Sequence, residues 1–182
     1  MVNSYVLVNP HIEGAFKSTI KAQNSNEASN IFYTNLSEHF NNSVPSFHFS
    51  IQKGKSGDGK FYHFEVKETK KNKEVSFSIS PITLKGEEAA IDRFKKNLSN
   101  FKSKFNQDGG KQRKKKHHKK HDSSDSDSSS DSYIKTKKTY NTTQPIYYWW
   151  YDPYLYSLDS IYVPTFYPYA TPYIQYNLAK WP

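Results

Sequence analysis

The sequence contains no cysteine. This absence excludes disulfide bonds, a thiol nucleophile and cysteine-ligated zinc from the chemistry of the chain. No apolar run reaches the roughly 18 residues that a membrane-spanning helix needs, and the start, MVNSYVLVNP, lacks the basic and long apolar segments of a signal peptide. We therefore expect a soluble, intracellular protein.

Apolar residues are scarce as well. They make up 35% of the 182 residues, and the 7 glycines raise this to about 39%, short of the roughly 45–50% of ordinary globular chains. The length allows one domain plus extensions. The net charge of +9 is unevenly placed, because residues 111–121 (KQRKKKHHKKH) contribute +7 and residues 122–132 (DSSDSDSSSDS) contribute −4. Part of the chain is therefore not expected to fold alone.

The composition divides the chain into three parts. No aliphatic or aromatic residue occurs between Asn106 and Tyr133, so this stretch cannot bury enough surface to offset the entropy of ordering it. We predict a small α+β domain over residues 1–106, a disordered basic and then Ser/Asp-rich linker over 107–144, and a Tyr/Trp/Pro-rich docking arm over 145–182.

Hydrophobic periodicity predicts the elements of the first part. Apolar residues at 5–8 and 16–22 indicate two strands that pair as a hairpin, and helical spacing from an N-cap at Ser25 to Phe40, before Asn41-Asn42, indicates a helix. Three alternating runs follow, and a last helix begins near Glu87. The predicted order is ββαβββα, an antiparallel sheet under two helices.

The three alternating runs can be aligned by asking which register puts every apolar residue on one face. We predict Lys53 opposite Lys60 in the first pair of strands and Thr69 opposite Glu74 in the second. The apolar pairs are then Ile51 with Tyr62, Phe49 with Phe64, Phe47 with Val66, Val66 with Phe77 and Phe64 with Ile79.

The same register places His48 opposite Glu65 and Ser50 opposite His63 on the other face of the sheet. Two imidazoles and a carboxylate could bind a metal or move protons. The alternative, which we favour, is that these polar residues belong to a solvated sheet face.

Catalytic motifs are missing from the sequence. It has no G-x-S-x-G, H-E-x-x-H, P-loop or G-x-G-x-x-G pattern, and the glycines at 54–59 indicate a hairpin turn. We expect no enzymatic activity, no catalytic residue, no cofactor and no metal.

The basic run at 111–121 has three interpretations: a phosphate-binding segment, a nuclear localisation signal or a solubilising spacer. Ser124 and Ser128 each precede an aspartate by three residues, the pattern that acidophilic kinases favour, and their phosphates would offset part of the basic charge. The candidate nucleic-acid-binding residues are Lys111, Arg113, Lys114, Lys115, Lys116, Lys119 and Lys120.

The arm contains 14 aromatic residues and 6 prolines in 38 positions. Its prolines exclude a long helix, and so much aromatic area predicts docking, either onto its own domain or onto a partner. Base stacking is disfavoured because Lys180 is its one basic residue. The candidate partner-binding residues are Tyr147, Tyr148, Trp149, Trp150, Tyr151, Tyr154, Tyr156, Phe166 and Tyr167.

Several segments carry a family resemblance: YVLVNPHIEGAFK, EASNIFYTNLSEHFNNSVPSFHFSI, KFYHFEVKE and PIYYWWYDPYLYSLDSIYVPTFYPYATPYIQ. Together they resemble an uncharacterised protein family of the nucleocytoplasmic large DNA viruses, the mimivirus-like giant viruses. The resemblance implies viral origin and is compatible with a virion component. The 24 lysines against 2 arginines agree with an AT-rich genome.

A second resemblance is one of topology. Residues 25–105 are predicted to follow the αβββα order of a double-stranded-RNA-binding domain. That family has a lysine cluster at the start of its last helix, whereas this chain has the acidic GEEAAIDR. An anionic helix start opposes phosphate binding.

Two functions follow as hypotheses. The first is a non-enzymatic viral structural or interaction protein, whose arm binds another viral structural protein or a second copy of the chain. The alternative is a nucleic-acid-binding accessory protein that uses residues 111–121 and the αβββα core. Either would act inside the host, in the cytoplasm, virus factory or nucleus, or in the virion.

Overall fold

A computed structural model describes residues 1–14, 16–40, 43–54, 59–71, 74–108, 146–165 and 174–178. The class is α+β, as predicted. The elements are β1 (Asn3–Asn9), β2 (His11–Gly14), β3 (Thr19–Ala22), α1 (Ser25–Ser37), β4 (Ser46–Lys53), β5 (Phe61–Lys71), β6 (Glu74–Ile82), α2 (Glu87–Asp108), β7 (Ile146–Trp150), a 3₁₀ turn (Pro153–Tyr156), β8 (Ser160–Val163) and β9 (Ile174–Asn177).

The main sheet has five antiparallel strands in the order β3-β1-β4-β5-β6. The predicted hairpin is confirmed, since β1 pairs with β3 and Tyr5 lies opposite Ile20. On its other side β1 pairs with β4, where Leu7 lies opposite Ile51. Strand β2 was not predicted, and it belongs to a separate two-stranded sheet with β7.

The register of β4 and β5 is confirmed, with Phe49 opposite Phe64. The register of β5 and β6 was predicted wrongly by two residues, because Thr69 lies opposite Ser76 rather than Glu74. Strand β5 continues to Lys71, which pairs with Glu74, so the connection has two residues, the commonest hairpin length. A shift of two residues keeps every side chain on its predicted face.

Helix α1 begins one residue earlier than its predicted cap implied. Asn24 is the N-cap, and its side-chain oxygen accepts a hydrogen bond of 2.8 Å from the Glu27 backbone N–H. Of the apolar residues at helical spacing, Ala28, Phe32, Leu36 and Phe40 are buried and Ile31 is half-buried. Tyr33 is buried with them at 0% exposure. The Tyr33 hydroxyl donates to the buried carboxylate of Glu68, which also accepts from the Val44 backbone N–H at 3.0 Å.

The two helices lie on opposite faces of the sheet, which corrects the expectation of one sheet beneath both. The core under α1 contains Tyr5 and Phe64. A second core under α2 contains Val8, and Phe61 packs against it. Because successive strand residues point to opposite faces, strands that are apolar at both sets of positions need a cover on each side.

The described part of the arm continues the fold. Strand β7 pairs with β2, the 3₁₀ turn follows, and β8 pairs with β9. In the part of the chain that the structure describes, neither helix combines the length and the apolarity that crossing a membrane requires. The predicted linker, except for residues 107–108 at the end of α2, lies outside the described residues.

Candidate functional site

The junction between arm and domain is built on both a backbone ladder and stacked rings. Strand β7 pairs antiparallel with β2, with Trp150 opposite His11 and Trp149 opposite Ile12. The two indoles point to different sides. The ring centroids of Trp149 and Phe47 are 6.4 Å apart, whereas Trp150 stacks on Phe101 of α2 with centroids 5.3 Å apart and ring planes 12° from parallel. One short strand therefore joins the arm to both cores.

Asn9, at the end of β1, holds the arm backbone. Its side chain is fully buried, its amide oxygen accepts from the Asp152 N–H at 2.9 Å, and its amide nitrogen donates to the Asp152 carbonyl at 2.9 Å. The same nitrogen donates to the Tyr156 hydroxyl at 3.1 Å. The asparagine amide thus pairs with both the backbone N–H and the backbone carbonyl of Asp152, a buried arm residue, as a neighbouring strand would.

A chain of hydrogen bonds continues from the arm into the sheet. The Tyr156 hydroxyl lies 2.9 Å from Ser50 Oγ, which lies 2.7 Å from His63 Nδ1. Either hydroxyl can donate in these two contacts, and Tyr156 also hydrogen-bonds with Tyr151, so the chain accommodates either neutral tautomer of His63. The other ring nitrogen of His63, Nε2, has no hydrogen-bond partner among the described residues.

Burial controls the ionisation of this polar cluster, by which we mean Asn9, Ser50, His63, Asp152 and Tyr156. Desolvation lowers the pKa of His63 from 6.5 to about 4 and raises the pKa of Tyr156. Both side chains are therefore neutral at pH 7.

The expectation of a solvated polar sheet face is wrong. His48, Ser50 and His63 are exposed by only 9%, 0% and 4%, because Tyr156 of the arm packs against all three. The predicted pairing of His48 with Glu65 is confirmed, and the His48 Nε2 to Glu65 Oε1 distance is 3.8 Å. Within the described ranges, no three histidine, aspartate or glutamate side chains come together as a possible metal site.

Asp152 connects the arm to α2. One carboxylate oxygen accepts from the Tyr154 backbone N–H at 3.1 Å and so caps the 3₁₀ turn, and the other accepts from the Asn97 side-chain amide at 3.0 Å. Arg93 donates to the Tyr154 carbonyl at 3.4 Å. These bonds fix the position of the turn, and with it the Tyr154 backbone.

Two grooves flank Pro153 and Tyr154. The first, which we call the apolar groove, has a volume of about 470 Å³. The second, which we call the amide groove, has about 450 Å³ and lies between the arm and α2. The apolar groove includes Trp149, Tyr154, Ile161, Val163, Tyr176 and Leu178 in its lining. The amide groove includes Asn97, Asn100, Phe101, Lys104, Trp150 and Tyr154.

The structure separates the arm residues that the sequence singled out. Trp149, Trp150, Tyr151 and Tyr156 pack against the chain's own domain, whereas Tyr154 is 49% exposed. Tyr147 and Tyr148 belong to β7. The other candidates lie outside the described residues: Phe166, Tyr167, Lys111, Arg113, Lys114, Lys115, Lys116, Lys119, Lys120, Ser124 and Ser128.

Sequence reasoning missed Asn9, Asp152 and the α2 residues of the amide groove. Asn9-Pro10 indicated only the end of a strand, and Asn97 and Asn100 occupy polar helix positions that carry no motif. Their roles depend on the return of the arm more than 140 residues after Asn9, and no local pattern shows this.

Comparison with known proteins finds a viral relative. The chain is 36% identical over 70 residues to Uncharacterized protein L492 of Acanthamoeba polyphaga mimivirus, and the match spans 38% of this chain and 38% of that protein. No family model and no solved structure matches the chain. The chain is therefore similar, over about two fifths of its length, to an uncharacterised giant-virus protein.

Proposed function

We propose that this is a non-enzymatic structural or interaction protein of a giant virus, and that the apolar groove binds another protein of the particle. One observation carries the proposal. Among the described residues, the large aromatic side chains that remain exposed are Tyr154 at 49% and Tyr176 at 39%, and both line this groove.

The chemistry of the groove supports a protein partner. Its walls include Val163 and Leu178 beside the two tyrosines, and Ile161 is buried at 5% exposure. Rigid aromatic rings around a small apolar depression are the usual anchors of protein interfaces. The arm then has two roles: its inward rings attach it to its own domain, and its outward rings bind the partner.

The polar cluster supports a structural role for the residues that could otherwise suggest catalysis. Ser50 and His63 have the residue types of a nucleophile and a base, but Tyr156 covers them and its hydroxyl lies 2.9 Å from the serine hydroxyl. A substrate would have to displace the arm to reach them.

Co-sedimentation with purified particles tests the proposal. Replacing Tyr154 and Tyr176 by serine should weaken association by at least about tenfold, since two anchors are lost, and the loss should persist at high salt. Val2→Ser is the matched control, because Val2 is 65% exposed and lies outside the groove. Unchanged association of the double variant would reject the proposal, and loss only on deletion of residues 111–121 would favour the nucleic-acid alternative.

A further inference from the structure

The amide groove differs in chemistry from the apolar groove on the other side of Tyr154. Its α2 wall is formed by Asn97, Asn100, Phe101 and Lys104. These positions follow the i, i+3, i+4, i+7 spacing of one helix face. The two asparagines and the lysine are exposed, so this wall offers amide groups and a cation.

The opposite wall comes from the arm and supplies aromatic rings. Trp150 is half-buried and is held by stacking on Phe101. Tyr154 stands at the rim with its backbone fixed by Asp152 and Arg93. The Trp150 ring, which its neighbour holds in place, loses little conformational entropy when a flat ligand stacks on it.

The stretch of α2 beside the groove favours an anionic ligand. Residues 93–104 contain five basic side chains and no acidic one, and the acidic residues of α2, Glu87, Glu88, Asp92 and Asp108, lie outside this stretch. Three residues after α2 ends at Asp108, the sequence reaches Lys111, the first residue of its most basic run. Asp152 is the acidic residue of the lining, and both of its carboxylate oxygens already accept hydrogen bonds.

We propose that the amide groove binds single-stranded nucleic acid. In this arrangement a base stacks on the rings of Tyr154 and Trp150, and Lys104 contacts a phosphate. The Asn100 amide and the Asn97 amide oxygen meet the base edge, since the Asn97 amide nitrogen already donates to Asp152. Aromatic rings reach bases only where these are unpaired, which selects a single strand over a duplex. The four other basic residues of 93–104 lie outside the groove lining and favour a strand over a single nucleotide.

The sequence of the arm disfavoured base stacking because the arm has one basic residue, Lys180. The amide groove meets this objection. The arm has almost no basic residues of its own, but α2 supplies the lysine and the amides that a base-stacking surface needs. The proposal does not depend on a protein partner in the apolar groove, because Lys104 lines only the amide groove and Tyr176 only the apolar one.

Fluorescence anisotropy of the full chain with labelled single-stranded DNA and RNA 20-mers of mixed sequence tests the proposal. Tyr154→Ala should weaken binding about fivefold to a hundredfold, as loss of one stacked base does. The plot of log K against log salt has a negative slope, and Lys104→Gln should make it less negative by about 0.7, the value for one phosphate contact on a single strand. Lys67→Gln is the charge-matched control, since Lys67 is 66% exposed and lies outside the groove.

Three outcomes would overturn the proposal. Binding that is unchanged in Tyr154→Ala and Lys104→Gln but lost on deletion of residues 111–121 would leave only nonspecific attraction. Equal competition by an unlabelled duplex, or by a mononucleotide at the same base concentration, would reject a single-stranded ligand. If neither the DNA nor the RNA 20-mer bound the chain, the proposal would also be rejected. Lys104→Gln should leave co-sedimentation with particles unchanged and Tyr176→Ser should leave 20-mer binding unchanged, so the two proposals fail separately.

Discussion

Replacing Asn9 by alanine should detach the arm at its most buried point. The substitution removes three hydrogen bonds and leaves the N–H and the carbonyl of Asp152 without their partners in a site where Asn9 is fully buried. Each orphaned buried group costs about 1–3 kcal/mol, so we expect a loss of about 4 kcal/mol from the free energy of unfolding. A protein of this size has roughly 5–15 kcal/mol in total.

Urea denaturation followed by tryptophan fluorescence measures this loss, and the melting temperature should fall by roughly 10 °C. Asn3→Ala is the matched control on the same strand, because Asn3 makes one exposed hydrogen bond of 3.1 Å to the Gln23 carbonyl, and it should cost less than about 1 kcal/mol. If Asn9→Ala proved no more damaging than Asn3→Ala, the Asn9 contacts would not hold the arm, and the reasoning would be refuted.

Other substitutions test the rest of the fold. The folded protein lowers the His63 pKa from 6.5 to about 4, so the unfolded chain binds the proton more readily. The free energy of unfolding should therefore fall by up to about 3 kcal/mol as the pH drops from 6.5 to 4. In denaturation curves across that range, His63→Phe should reduce this dependence of stability on pH. Glu68→Ala should cost about 3 kcal/mol in the same assay, because two buried donors lose their acceptor, whereas Lys67→Ala should cost almost nothing. Phe64→Ala should cost about 3–5 kcal/mol, since its ring is 1% exposed, and a melting temperature equal to that of wild type would contradict its place in the core.

Local sequence patterns were enough to predict the class, both helices and the main strands. Alternation of apolar residues placed Phe49 and Phe64 on one face, because any odd shift would expose the whole set. The same alternation could not determine the β5–β6 register. A slip of two residues preserves both faces, so burial alone cannot distinguish Thr69 opposite Glu74 from Thr69 opposite Ser76.

The polar face shows what no local pattern can predict. His48 and His63 alternate with apolar residues as a solvated face would, and only the arm, far along the chain, turns them into buried residues. The sequence also left open whether the arm docks onto its own domain or onto a partner, because that contact spans residues far apart in the chain. The contacts of Asn9 and Trp150 show that the described part of the arm docks onto its own domain.

Hydrogen–deuterium exchange of the wild-type chain, compared with Asn9→Ala, tests most directly whether the arm is an integral part of this domain. We expect the amides of β7 and β2 in the wild type to be protected nearly as strongly as those of β4. The two strands hydrogen-bond to each other, and Asn9 of the polar cluster binds the arm backbone just after β7. In Asn9→Ala, β7 should lose this protection while β4 and β5 keep theirs. Unprotected exchange of β7 in the wild type would contradict the central claim that the arm completes the domain.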